Sequence, residues 1–225
     1  MQNNVWENEY KNPKLVSLSK EPIASIKDFV RYLRKNFDYN FSSIKILDLG
    51  CGNAKNSLYI KEQGFDNEIV GIDISETALK YAKDLVGQGN FIKQSIGESL
   101  KFPDSYFDIV LDVTSSNSLF ESERIIYLNE IQRVLKSDGY LFVRALCKDG
   151  DTNAKKLLKS NPGVEKDTYK MPEIGLIERV FSKEDIISIY SNIGELLYLN
   201  KETHYTKFNG RSFKRNFWIG VWHKK

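Results

Sequence analysis

Apolar positions along this chain alternate between short continuous runs and stripes at three- and four-residue spacing. Ile23, Ile26, Val30, Leu33 and Phe37 recur at helical spacing behind Pro22, so residues 22–37 are expected to form an amphipathic helix. Ile44 to Leu49 is an apolar run broken only by Lys45, the pattern of a strand buried on both faces. Asn53 to Gln63 is expected to be a helix stopped by Gly64, and Glu68 to Ile72 a second strand. Ser75 stands where an N-cap is needed, and Ala78, Leu79, Ala82, Leu85 and Val86 form one face of the helix it opens, stopped by Gly87 and Gly89. Phe91-Ile92 predicts a short third strand and Phe107 to Leu111 a fourth. Ser122 to Lys136 is expected to be a helix with Ile125, Leu128, Ile131 and Leu135 inward; Asp138-Gly139 then turns into a fifth strand, Tyr140 to Leu146.

Strand and helix patterns alternate throughout this stretch, which implies βαβ units with right-handed crossovers. Residues 147–181 break the pattern: they are polar, carry Gly150, Pro162, Gly163 and Pro172, and show no sustained period. Such a segment inside a compact domain is expected to cover a site or to be disordered. Order resumes at Ser182-Lys-Glu-Asp185, a capping-box pattern. Glu195 to Leu199 and Asn216 to His223 predict two closing strands joined as a long hairpin. The expected fold is α/β, a Rossmann-like doubly wound sandwich with a seven-stranded, mostly parallel sheet and an antiparallel last strand. One domain, 1–225, is expected, with an N-terminal helical cover (1–40), a ligand-binding core (44–145), a cover for a second ligand (147–181) and a closing helix and strands (182–225).

Composition changes this picture little. The 225 residues suffice for one sizeable core, and 41% hydrophobic with 28% charged residues is ordinary for a globular protein. A net charge of +3 does not by itself argue for nucleic acid. Two cysteines far apart make neither a disulfide framework nor a metal cluster, and a reducing cytoplasm fits them. The start, Met1 to Glu7, has no apolar signal core, and no run reaches membrane-spanning length, so the expected location is cytoplasmic, with no membrane partner.

The chemistry concentrates where the first strand runs into Asp48-Leu-Gly-Cys-Gly-Asn53. Gly50 and Gly52 let the backbone turn sharply and approach a ligand with no Cβ in the way. Asp73 ends the second strand, where a carboxylate can accept hydrogen bonds from both hydroxyls of a ribose; it can equally cap the helix beginning near Ser75. Glycines and acid in register on strand, turn, helix and strand point to an adenosine-bearing cofactor. The third glycine of a dinucleotide fingerprint is missing, and Asp48 would repel a pyrophosphate. An acid there suits a ligand that carries an ammonium and a sulfonium.

Leu47 to Asn53 resembles the first motif of class I S-adenosylmethionine-dependent methyltransferases, and Gly71-Ile-Asp-Ile-Ser75 is similar to the second. Leu100 to Asp108 resembles the segment leading into the fourth strand, and Glu130 to Tyr140 the helix and turn before the fifth, so the likeness covers roughly residues 44–145. It implies S-adenosylmethionine as cofactor. It further implies Gly50, Cys51, Gly52 and Asn53 under the methionine and ribose, Asp48 holding the loop and amino group, Asp73 on the ribose, and Ile74 on the adenine. Ser95 and Ile96 fall where the family usually has an acid for the adenine amino group, leaving the backbone or the Ser95 hydroxyl to substitute. Ala54 replaces a common third glycine and Ser137-Asp138 the usual Pro-Gly turn. Trp6 and Tyr10 resemble N-terminal aromatics that close over the cofactor; alternatively they pack a loose N-terminus onto the domain.

Methyl transfer is an in-line displacement at an already activated carbon. Proximity supplies about 7–11 kcal/mol, so no catalytic triad is required. Acceptors bind at the carboxyl ends of strands, which brings in Asp112, Ser115, Ser116 and Asn117. Asp112 is one candidate catalytic residue; His204 and Tyr205, between the closing strands, are the others, or are simply surface residues. No acid stands beside Asp112 to complete a metal site, and none is expected. The absence of Asn-Pro-Pro-Tyr-like and Pro-Cys motifs after the fourth strand argues against amino methylation of nucleobases and against cytosine-C5 chemistry. Cys147 is expected to be a strand-end thiol. The C-terminal stretch carries Lys201, Lys207, Arg211, Lys214, Arg215, Lys224 and Lys225, interleaved with Phe208, Phe213, Phe217 and Trp218. That composition suits RNA, an anionic metabolite, or a solvated strand pair with core aromatics. The expected activity is methylation of O or N on a small molecule; the alternatives are methylation of RNA, tRNA above all, and a catalytically silent cofactor-binding partner.

Overall fold

A computed structural model of the chain describes residues 2–36, 43–65, 68–87 and 89–225. The elements in order are α1 (Asn3–Lys11), α2 (Ala24–Asn36), β1 (Lys45–Leu49), α3 (Lys55–Glu62), β2 (Glu68–Asp73), α4 (Glu76–Val86), β3 (Asn90–Lys93) and β4 (Phe107–Val113). They continue with α5 (Glu121–Val134), β5 (Leu135–Leu146), α6 (Thr152–Ser160), β6 (Thr168–Lys170), β7 (Ile177–Arg179), α7 (Lys183–Tyr190), β8 (Glu195–Phe208) and β9 (Arg211–His223). Phe37, expected to close the helix here called α2, lies outside the described residues.

Seven strands form one sheet in the order β3-β2-β1-β4-β5-β9-β8. β1 to β5 pair in parallel, and β9 runs antiparallel between β5 and β8. Successive side chains of β1 enter opposite cores: Leu47 and Leu49 pack with Tyr127 and Ile131 of α5, and Ile46 packs with Phe29 and Leu33 of α2. Burial on both faces is why these strands are continuously apolar. Leu49 is level with Ile72 in β2 and with Asp112 in β4, so the chain leaves all three strands along one edge. The order reverses between β1 and β4, where an open α/β sheet leaves a crevice.

Four expectations need correction. Along α5, Ile125 is 55% exposed, while Arg124, Tyr127, Glu130 and Ile131 are buried. The buried stripe is turned because its polar members have internal partners. Arg124 donates to the Leu119 carbonyl (2.6 Å) and pairs with Glu121 (2.9 Å). Glu130 accepts from the Leu100 amide (2.6 Å) and pairs with Arg133 (2.7 Å). A satisfied charge can enter a core that an isolated one cannot.

Residues 147–181, expected to be irregular, hold α6 and the small antiparallel pair β6–β7. Asp151 caps α6 through the Ala154 amide (2.7 Å), and strands of three residues are too short to show a period. The Asp138-Gly139 turn is a bulge within β5, with Asp138 at φ 63° and the pairing to β4 jumping from Phe107↔Leu135 to Ile109↔Tyr140. The closing hairpin extends well past the expected strands, to a tip at Asn209-Gly210, both at positive φ.

Candidate active site

Two clefts open along the carboxyl edge of the sheet and share Tyr10, Gly50, Val113 and Thr114. The first, about 610 Å³, lies between the ends of β2 and β4 and is also lined by Trp6, Asp73, Ile74, Ser95 and Ile96. Gly50 and Gly52 hold φ of 69° and 58°, the left-handed region that favours glycine. Ala54 shares that region, at φ 58°, the position of the family's third glycine. Asp73 does two jobs at once: one oxygen accepts from the Gly52 amide (2.9 Å) and the other from the Ser75 amide (2.8 Å). The Ser75 hydroxyl itself caps α4, accepting from the Ala78 amide (3.1 Å). The Ser95 oxygen accepts from the Gly97 amide (3.1 Å).

Helix α1 lies over this cleft. Glu7 reaches the hydroxyls of Ser75 (2.8 Å) and Thr77 (2.6 Å) at the start of α4, and Gln2 exchanges hydrogen bonds with Ile177 of β7 (2.7 Å each). Burial pushes the Glu7 carboxyl up, but the bonds from Thr77 and Ser75 outweigh it and hold it down at about 2. Tyr10 ends the helix over the glycine turn: a Cβ on Gly52 would stand 2.5 Å from its hydroxyl. Its ring lies 6.4 Å from that of Trp6.

The second cleft, about 1020 Å³, is lined by Asp48, Cys51, Gly52 and Asn53, by Lys55, Leu146, Glu178 and Phe217, and by Arg144, Thr206 and Arg215. Leu15 and Val16 roof it, on a loop pinned by Glu9, which accepts from the amides of Lys14 (2.7 Å), Leu15 and Val16 (3.0 Å). Asn53 donates to the Ser19 carbonyl (3.1 Å), fastening the same loop to the glycine turn. Burial raises Asp48 to about 6; a hydrogen bond from Ser57 (2.5 Å) opposes this, and the charges of Asp73 and Asp112 add to it. Burial likewise raises Asp73 to about 6 against the amide bonds it accepts. Two buried carboxylates in this state favour a cation beside them and oppose a phosphate. With the bare turns at Gly50 and Gly52, they fit a ligand that combines a ribose with a sulfonium and an ammonium.

The structure does not bring the three candidate catalytic side chains together. Asp112 is 0% exposed and lines neither cleft. Its oxygens accept from the Tyr127 hydroxyl (2.6 Å), the Ser115 amide (2.9 Å) and hydroxyl, and the Ser116 amide (3.3 Å). It is a hub that shapes the turn after β4, which corrects the expectation that it faces the acceptor. Tyr127→Phe is therefore expected to destabilise the fold by about 1–3 kcal/mol in urea unfolding, because an Asp112 oxygen loses its donor inside the core. His204 pairs with Glu202 (2.9 Å) on the outer part of β8, and Tyr205 is 73% exposed; neither lines either cleft. Thr206, next along the strand, does.

Cys51 is buried, and burial first, then Asp48 and Asp73, holds its thiol well above the usual range. Burial lifts the Cys147 thiol to about 12. Neither cysteine is disulfide-bonded. The basic C-terminal stretch is divided: Arg215 is buried and pairs with Asp151 (3.2 Å), and Lys224 donates to the Leu135 carbonyl (2.7 Å). Lys207, Arg211 and Lys214 are exposed near the tip. No group of three or more His, Cys, Asp or Glu among the described residues is arranged to hold a metal, and no described helix is long and apolar enough to cross a membrane.

Several lining residues were not foreseen. Gln94, Leu119 and Glu123 border the first cleft, and Thr114 stands at the junction with φ 64°. Glu123 also accepts from the Phe120 amide (2.9 Å) and supplies a carboxylate to the wall where Ser95 and Ile96 have none. Arg144 had a visible signal, a charge inside the otherwise apolar run Tyr140 to Leu146.

Comparison with known proteins agrees with this geometry. The profile of a family described as "Methyltransferase domain" matches residues 40–200. The chain is 33% identical over 99 residues to the eEF1A lysine and N-terminal methyltransferase of Mus musculus, which is 42% of this chain but 14% of that protein. The fold matches an S-adenosylmethionine-dependent methyltransferase of Methanosarcina mazei with a TM-score of 0.71 at 22% identity, over 86% of this chain and 96% of that one. It also matches the Burkholderia thailandensis 1,6-didemethyltoxoflavin-N1-methyltransferase, solved with its substrate and S-adenosylhomocysteine, with a TM-score of 0.65 at 14% identity over 99% and 87% of the two chains. The chain belongs to the methyltransferase-domain family, within the class I S-adenosylmethionine-dependent methyltransferases, and S-adenosylmethionine is its cofactor.

Proposed function

We propose that this protein transfers the methyl group of S-adenosylmethionine to an oxygen or nitrogen of a small molecule, in a cytoplasmic setting. The observation that carries this reading is the second cleft, roofed by the 15–17 loop, β7 and the closing hairpin. A cleft of this size suits a small acceptor better than a polymer, and the divided basic stretch offers no continuous phosphate track. The bound cofactor supplies a methyl carbon activated by its sulfonium.

The protein's part is placement. With cofactor bound, Asp73 would take the two ribose hydroxyls, Ile74 and Ile96 would flank the base with Glu123 near its rim, and Gly50 and Gly52 would bring the backbone against the methionine arm beside Asp48. The clefts meet among Tyr10, Gly50, Val113 and Thr114, beneath helix α1, and residues of the second cleft would orient the acceptor there for in-line displacement.

A labelling experiment tests this reading. Purified protein, cofactor labelled in the methyl group and a cell extract are incubated, then separated into metabolite, RNA and protein fractions. Label is expected among metabolites; label confined to RNA or protein would overturn the reading.

The buried acids also set a pH dependence. With Asp48 and Asp73 raised to about 6, a cationic cofactor binds best when both are ionised. Affinity by calorimetry is expected to be flat above that pH and to fall about tenfold per unit below it for each proton that must leave. The unliganded fold has the opposite slope. Raised carboxyls contribute stability below the ordinary carboxylate range, and that contribution is lost as pH rises through about 6.

A further inference from the structure

Resting on that reading, we propose that Arg144 and Lys55 form an oxyanion subsite in the second cleft, and that the acceptor is a molecule with an apolar body and a carboxylate or phosphate. Arg144 sits in β5 level with Val113, and its carbonyl accepts from the Thr114 amide (2.8 Å), which fixes it beside the junction of the clefts. Its guanidinium lies 3.4 Å from the Phe217 ring centroid. Lys55 opens α3 on the same cleft. Among the described residues, neither side chain makes a hydrogen bond or an ion pair; the Nε of Arg144 is buried without a partner, as are those of Arg124 and Arg179, but Arg144 alone of the three has no partner at its other nitrogens either.

Other arginines that enter the interior have acidic partners. Arg215, in the same cleft, has Asp151 at 3.2 Å and the Tyr169 hydroxyl at 2.8 Å, while Arg124 and Arg179 both reach Glu121 at 2.9 Å. Glu202 attracts Arg144 from a distance but is engaged by His204. Burial, and then Arg144 itself, lowers Lys55, so the two cations sense each other. Two half-buried like charges with no acidic partner among the described residues repel each other, and an anion between them relieves that repulsion. A guanidinium over the face of a ring can still offer N–H groups to an oxyanion, and its fork matches two oxygens of a carboxylate or phosphate. Leu15, Ile23 and Leu146 supply apolar wall for the rest of the molecule.

One other source of the oxyanion exists, the carboxylate of the cofactor's own methionine arm, and the test separates the two. Protein saturated with S-adenosylhomocysteine is titrated by calorimetry with benzoate, phenyl phosphate and neutral benzamide. One or both anions are expected to bind at least about tenfold tighter than benzamide, and the tighter of the two identifies the acidic group. In Arg144→Gln and in Lys55→Met that preference is expected to fall about tenfold or more, with S-adenosylhomocysteine affinity unchanged; the second variant guards against misfolding of the first. Equal binding of benzamide and the anions, no binding of any probe, a preference kept in both variants, or a matching loss of S-adenosylhomocysteine affinity would each overturn the proposal. The labelling experiment stands or falls separately, because it reads transfer rather than anion binding.

Discussion

Asp73→Ala is expected to weaken S-adenosylhomocysteine binding by about 30- to 1000-fold in calorimetry, from the loss of roughly 2–4 kcal/mol. Hydrogen bonds to a charged acceptor are worth about 1.5–3 kcal/mol each, and this carboxylate is placed to take two from a ribose. It also organises the site before any ligand arrives, since it accepts from the Gly52 and Ser75 amides. Removing it loosens the glycine turn as well as the sugar contact. Asp73→Asn keeps one acceptor oxygen and is expected to lose less. Stability is expected to fall as well, by about 1–3 kcal/mol, because the buried Gly52 and Ser75 amides lose their acceptor, offset in part by the burial that disfavours the ionised carboxyl. An unchanged affinity in Asp73→Ala would remove the ribose assignment.

Gly50→Ala is expected to abolish measurable cofactor binding and to destabilise the fold by about 2–4 kcal/mol in urea unfolding. The added Cβ would stand 2.3 Å from the Ser115 Cβ and 3.1 Å from its Oγ, at a φ of 69°. Ser115 has no room to yield, because its hydroxyl oxygen is held between the Leu49 carbonyl (2.7 Å) and Asp112, which share its one proton. Gly52→Ala offers a control of the same chemistry. There the new methyl meets the Tyr10 hydroxyl, the far end of a side chain that can move with α1. It is expected to cost less stability than Gly50→Ala while displacing the cover. If Gly50→Ala folded and bound like the parent, the cramped junction after β1 and β4 would not be the methyl-transfer point.

The parts of this molecule readable from sequence are those in which local pattern and tertiary role coincide. Strands buried on both faces have to be apolar throughout, so Ile44 to Leu49 and Phe107 to Leu111 declared themselves. The glycine turn and Asp73 were legible because backbone geometry and ligand chemistry both demand those residue types there. Of the stripe on α5, Ile131 and Leu135 are buried and Leu128 packs on the core, whereas Ile125 is exposed and Arg124, Tyr127 and Glu130 turn inward, held by the Leu119 carbonyl, Asp112 and the Leu100 amide. The elements within 147–181 were not legible because β6 and β7 are three residues long and α6 is a short polar helix with Ala154 as its buried residue.

Asp112 illustrates a different limit. Its position after β4 suggested chemistry, but its orientation depends on Tyr127 and on the turn at Ser115, which no local pattern reveals. Arg144 and Lys55 are 89 residues apart in the chain, and only the sheet brings them to one cleft. Acceptor chemistry in this fold is therefore written mainly in contacts between distant segments, whereas cofactor chemistry is written in one contiguous stretch.

A co-crystal structure with S-adenosylhomocysteine tests the central claim most directly. Its adenosine is predicted in the first cleft with both ribose hydroxyls on Asp73, and its sulfur at the border shared by Tyr10, Gly50 and Thr114, facing the second cleft. Density elsewhere on the protein, or a sulfur turned away from the chamber that holds Arg144, would contradict it.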